Sequence, residues 1–91
     1  MNTFTLEIRT PRQTYGPRDV ASLDVPAETG RLTVLAHHQP LLCAVARGSV
    51  RIRDAGRRTE HWITEPGTLT VGGNRAALLV RDIRRDAAPS S

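Results

Sequence analysis

GTLTVGGNRAALLV, residues 67–80, decides how this chain folds. Leu69 and Val71 alternate with Thr68 and Thr70, the period-two rhythm of a strand with one apolar face. Gly72-Gly73-Asn74 then supplies residues that accept positive φ, which predicts a tight hairpin. The triplet opens no helix and lacks a downstream Lys-Ser/Thr, so it is a turn and not a phosphate loop. Ala76 to Val80 follows as a nearly continuous apolar run and reads as a central strand.

The same rhythm extends outward in both directions. Val50 and Ile52 alternate with Arg51 and Arg53, and Asp54-Ala55-Gly56 forms a turn. A strand resumes near Thr59, carries Trp62 and breaks at Pro66-Gly67. Ala21, Leu23 and Val25 alternate with Ser22 and Asp24 until Pro26. Phe4, Leu6 and Ile8 alternate with Thr5, Glu7 and Arg9 and stop at Pro11. No stretch of ten residues has helical apolar spacing free of Pro and Gly. Short strands punctuated by turns predict an all-β sandwich or small barrel. With 91 residues there is room for one core. Residues 1–83 are expected to form the domain, and 84–91, ending Ala87-Ala88-Pro89-Ser90-Ser91, a short frayed tail.

Composition narrows the function. The net charge is +4, and all 13 basic residues are arginine. Such a surface attracts nucleic acid, acidic lipid or an acidic protein. Phe4, Tyr15 and Trp62 are the only aromatics and lie far apart, which argues against a base-stacking platform for nucleic acid. Cys43 stands alone, so no disulfide is expected, and a reducing, cytoplasmic setting fits. Met1 to Thr10 contains no signal-length apolar run, and nowhere do 18 apolar residues run together.

Reactive-looking groups read more simply as structural ones. His37-His38 with distant His61 would need further ligands for a zinc site, and consecutive strand residues point to opposite faces. Cys43 beside Leu42 and Ala44 is a small hydrophobe, with no orienting charge to pair it with His38 as a nucleophile. Arg51, Arg53, Arg57 and Arg58 belong to the solvent face and turn of a hairpin, with contact to an acidic partner as the alternative reading. No catalytic residue, metal site or cofactor is expected.

The segment Glu28 to Leu42 stands apart, with a Gly-led turn, a short strand and a polar His-His-Gln-Pro corner. There the chain resembles the epsilon subunits of bacterial and chloroplast F-type ATP synthases, and the likeness is collinear from Phe4 to Asp82. Leu6-Glu7-Ile8-Arg9-Thr10-Pro11 matches the family's opening strand. Val25-Pro26, Gly30-Arg31-Leu32 and His38-Gln39-Pro40-Leu41-Leu42 match its middle. Gly48-Ser49-Val50-Arg51-Ile52, Gly67-Thr68-Leu69-Thr70-Val71 and Asn74 with Leu78-Leu79-Val80-Arg81-Asp82 match its end. Thr33, Ala36 and His37 depart from Gly, Pro and Gly, Glu65-Pro66 replaces Ser-Gly, and Arg47 stands where Pro is common.

The resemblance implies a two-sheet β-sandwich of about ten short strands. It implies a non-catalytic rotor part at the foot of the central stalk, coupling c-ring rotation to gamma and the catalytic head. Glu28, Thr29, Gly30, Arg31 and Leu32 would face the c-ring, and Thr10, His38 and Cys43 would contact gamma. The coupled ion is a proton or sodium, and the location is peripheral, on the cytoplasmic face of the bacterial inner membrane. The family's C-terminal helical hairpin, which follows the Asp82 position, is not expected within these 91 residues. Two rival readings are a free-standing sandwich that binds an acidic protein and a small basic domain that binds nucleic acid.

Overall fold

Alternation in the sequence becomes alternation in space. Along β1 (Phe4–Arg9), Phe4, Leu6 and Ile8 are buried while Thr5, Glu7 and Arg9 face outward. The computed structural model describes residues 2–86, and among these it contains ten strands and no helix. After β1 come β2 (Thr14–Val20), β3 (Ser22–Ala27), β4 (Gly30–Leu35) and β5 (Leu41–Val45). The remaining strands are β6 (Gly48–Arg53), β7 (Thr59–Thr64), β8 (Gly67–Gly72), β9 (Arg75–Val80) and β10 (Ile83–Arg85).

These strands curl into two facing layers, the architecture expected from the sequence. One layer runs β10-β7-β6-β3-β4 and the other β5-β8-β9-β1-β2. Every pairing is antiparallel except β1 with β9. Between the layers Leu6, Leu23, Ile52, Leu69 and Leu78 are fully buried, and Trp62 is nearly so at 6%. Buried apolar area of this kind is what holds so small a domain together. The central hairpin is a two-residue turn in which Gly73 and Asn74 both have positive φ, 57° and 59°. That is the twist a tight antiparallel turn requires.

The two seams between the layers are built differently. At the first, Ala27 of β3 pairs with Val45 of β5. Ala46 N donates to Pro26 O at 2.7 Å, and Glu28 N to Ala44 O at 3.2 Å. At the second, β2 meets β7 and β10 through side chains. Arg18 grips Glu60 with both terminal nitrogens, Nη1–Oε1 at 2.9 Å and Nη2–Oε2 at 2.8 Å. Trp62 Nε1 also donates to Glu60, at 3.2 Å. Tyr15 packs edge-on against the Trp62 ring at 5.2 Å, and the Arg85 guanidinium lies 5.3 Å from its centroid.

Three boundaries differ from the sequence reading. Strand β3 runs through Pro26 to Ala27, because β4 pairs there and the proline carbonyl serves the first seam. Strand β2 was not visible in the pattern, since Gly16-Pro17 interrupts it. Gly16 has φ +91° where the β1–β2 register shifts, and a Cβ there would lie 2.7 Å from Leu6 O. Only glycine fits that bulge. Finally, the tail expected from residue 84 starts later. Arg84 and Arg85 pair with Ile63 and Trp62, and Asp86 N donates to His61 O at 2.7 Å. The rest of that tail, 87–91, lies outside the described residues.

Candidate interaction surfaces

The sandwich offers three distinct surfaces: a projecting hairpin tip and the outer face of each layer. At the tip, Glu28 and Thr29 form the exposed turn between β3 and β4. Arg31, on β4, bends away from the tip. Its Nε and Nη2 each reach Asp24 Oδ1 at 3.0 Å, and its Nη1 donates to Ser49 O at 2.8 Å. Arg51 Nη2 holds the other Asp24 oxygen at 3.0 Å. One carboxylate therefore occupies two arginines, and Arg31 ties β4 to β3 and β6. Leu32 is half-buried against the core.

The outer face of the β5-β8-β9-β1 layer is flat, with small and apolar residues at its centre. Leu42, Thr70 and Ala77 stand in one row, and Ala44, Thr68 and Leu79 in the next. Leu42 is 71% exposed and Leu79 42%. Two large aliphatic side chains on a face otherwise furnished by Ala and Thr form a patch suited to a partner protein. Charge enters at the margins: Arg9 Nε pairs with Glu7 Oε1 at 2.7 Å on β1, and Arg75 is exposed at the start of β9.

Of the residues expected at a protein interface, Thr10 lies just past β1, beside the Val80 end of β9. Its hydroxyl accepts from Gln13 N at 3.0 Å and Arg12 N at 3.2 Å, closing the turn into β2. His38 lies toward the other end of the layer, in the β4–β5 connection, with Nδ1 2.7 Å from Gln39 O. Cys43 sits between them, but its side chain packs against the core, and burial pushes its thiol up. The three follow one layer without converging on one spot. A thiol raised in this way is a poor nucleophile.

Sequence reasoning missed the residue that organises the His38 loop. Asn74 Oδ1 accepts from His37 N at 2.8 Å, Asn74 Nδ2 donates to Thr3 O at 3.0 Å, and Asn74 O accepts from Thr5 N at 3.1 Å. His37, standing where the family has Gly, keeps a left-handed backbone at φ 62°; histidine is among the residues enriched there. Two further departures answer one another, for Arg47 Nε pairs with Glu65 Oε2 at 3.1 Å. Exposed Leu42 was foreshadowed, because neighbours Leu41 and Leu42 on one strand cannot both face the core.

Perturbed ionisation is concentrated at the second seam. The hydrogen bond from Arg18 holds Glu60 below the usual carboxylate value, opposed by burial and aided by Trp62 and Arg85. Arg18 is pushed up by the same bond. No three His, Cys, Asp or Glu side chains converge on a possible metal position among the described residues.

A close-packed core carrying a flat, largely apolar outer face and a projecting tip is built as a binding scaffold. This chain belongs to the family described as ATP synthase, Delta/Epsilon chain, beta-sandwich domain, whose family model matches residues 3–86. It is 34% identical over 80 residues to the ATP synthase epsilon chain of Chlorobaculum tepidum, covering 88% of this chain and 91% of that one. It superposes with TM-score 0.89 on a chain in the cryo-EM structure of the Euglena gracilis mitochondrial ATP synthase with OSCP, F1 and c-ring. The identity is 15%, and the match covers 93% of this chain and about half, 54%, of that one. A chain in the central stalk and c-ring of the Tetrahymena thermophila enzyme superposes with TM-score 0.74 at 17% identity, covering 92% of this chain and 69% of that one.

Proposed function

We propose that this chain is the epsilon-type, non-catalytic rotor component of the central stalk of an F-type ATP synthase. It couples c-ring rotation to gamma and the catalytic head. The observation that carries the reading is the flat outer face centred on Leu42, Ala44, Ala77 and Leu79, within a chain of the delta/epsilon family. Gamma covers this face, and burial of the two leucines supplies the apolar centre of the contact. Thr10 and His38 mark the two ends of that footprint, and Cys43 supports it from the core side.

The Glu28-Thr29-Gly30 tip rests on the polar loops of the c-ring. Arg31 and Leu32 brace the tip from behind: Arg31 through Asp24 and Ser49, and Leu32 through its contact with the core. The protein transmits load through interfaces, and a close-packed core between the layers keeps the two contacts in fixed relation. It is held peripherally at the cytoplasmic face of the bacterial inner membrane through these contacts, and the ring sets whether protons or sodium ions are coupled.

Co-expression with the cognate gamma and c subunits tests this directly. Gamma is expected to co-purify with the parent chain. Leu42→Arg is expected to weaken that association at least about tenfold, because it would desolvate a charge at the centre of the contact. The variant should retain its thermal stability, since Leu42 is exposed. Undiminished recovery of gamma by a folded Leu42→Arg chain would remove this face from the interface. No recovery of gamma by the parent would remove the stalk reading itself.

A further inference from the structure

The outer face of the other layer has the opposite character. Arg51 and Arg53 project from β6 and Arg84 from β10, while Arg31 reaches across from β4. Arg57 and Arg58 extend the patch into the β6–β7 turn. Against these six arginines stand Asp24 and Asp54, with Asp86 one residue past β10, where its N donates to His61 O. Six arginines against three carboxylates leave this face an excess of three positive charges, most of the chain's net +4.

Asp24 and Asp54 are already engaged. Asp24 is shared by Arg31 and Arg51, and Asp54 Oδ1 accepts from Arg58 N at 2.9 Å. Among the described residues, Arg53, Arg57, Arg58 and Arg84 have no ion-pair partner. A shallow groove between the strands adds hydroxyls from Ser22, Thr33 and Thr59 beside Arg51, Arg53 and His61. Concentrating a protein's net charge on one face raises the local concentration of an oppositely charged partner and orients its approach.

We infer that this cationic face is a docking surface for an acidic polypeptide segment, distinct from the apolar face of the opposite layer. A nucleic acid is disfavoured because the aromatic residues with a flat face to offer, Tyr15 and Trp62, are spent on each other at the second seam. A lipid surface is disfavoured because Leu35 is the one large exposed aliphatic at the patch, too little to anchor in a bilayer. A polypeptide can also use what borders the patch: among the described residues β4 pairs only with β3, leaving its outer edge of backbone donors and acceptors open. The inference stands independently of the stalk reading, since it rests on charge placement and an open edge.

The probe is a fluorescein-labelled peptide of roughly a dozen residues alternating Glu and Ser, followed by anisotropy at low salt. Binding is expected to weaken as salt rises. The double variant Arg53→Glu/Arg84→Glu is expected to lose at least about tenfold in affinity. Arg12→Glu/Arg75→Glu, which changes net charge equally elsewhere, should lose less than about twofold. Arg53→Gln/Arg84→Gln removes charge without inverting it and should show a smaller loss in the same direction. Equal losses in the two Glu doubles would reduce the effect to net charge and overturn the proposal. So would no loss in either, or tighter capture of the parent by a single-stranded oligonucleotide or anionic vesicles than by the peptide.

Discussion

Replacing Glu60 by Gln opens the second seam electrostatically while keeping its shape. Glutamine retains an acceptor for Trp62 Nε1, but Arg18 and Arg85 lose the carboxylate they face. Charge-assisted hydrogen bonds of this kind contribute ~1.5–3 kcal/mol when secluded. Glu60 is 17% exposed but Arg18 37%, so solvent screening applies to half of the pair. The expected loss is therefore about 1–2 kcal/mol, a fall in Tm of about 5–15 °C for a domain of this size.

The pH dependence identifies the cause. Glu60 ionises below its ordinary value of 4.5 in the folded chain, chiefly through the Arg18 bond. Its contribution is complete above that ordinary value and is lost as pH falls through the lower, folded value. Thermal melts followed by circular dichroism should show the full gap between parent and Glu60→Gln near neutral pH. The gap should close as pH falls below the ordinary carboxylate range, because the parent then carries a neutral side chain too. A gap that does not narrow as the parent is acidified would mean that packing, not charge, supports the seam. No gap at neutral pH would refute the argument outright.

Three other outcomes follow from local geometry. Asn74→Gly keeps the turn's positive φ but deletes the bonds to His37 and Thr3; a loss of about 1–2 kcal/mol is expected from the urea midpoint, and an unmoved midpoint would contradict it. Gly67→Ala would set a methyl 2.0 Å from Leu79 O and 2.6 Å from Val80 Cα, both backbone atoms. It should cost ~3 kcal/mol or prevent folding, and a parent-like melt would refute the close approach. Cys43, with its thiol raised by burial above the ordinary value of 9.0, should react with iodoacetamide at least about tenfold more slowly than a free thiol at mildly alkaline pH; reaction at the free-thiol rate would place it on the surface.

What the sequence revealed was whatever depends on neighbours in the chain. The alternations at Phe4–Arg9, Val50–Arg53 and Leu69–Val71 became strands facing as read, and Gly73-Asn74 became the expected hairpin. Ala76–Val80 is a central strand, although Leu79 turns out to face solvent. Elements that owe their pairing to a distant partner were hidden. Strand β10 has one apolar residue and exists because β7 offers a free edge and Trp62 a ring for Arg85. Arg31, expected to face the c-ring, has an ion-pair partner the chain order hides, because Asp24 is brought to it by the β3–β4 register. Cys43, expected at the gamma contact, has its side chain against the core because alternation along β5 turns Leu42 outward. Asn74 gave the turn away through its type, but its grip on the His37 loop depends on a contact 37 positions distant.

The unequal seams make the domain mechanically lopsided. A push on the Glu28–Gly30 tip enters β3 and β4, and its shortest backbone route to the Leu42 face is the Ala27–Val45 pairing with its two flanking bonds. That narrow strap lies immediately behind the tip. On the far side, the layers are latched by Arg18, Glu60 and the Trp62 ring, whose grip slackens with acid and salt. Twisting force would therefore pivot about the strap and be resisted at the latch, so ionic conditions would tune how faithfully rotation at one end is reproduced at the other.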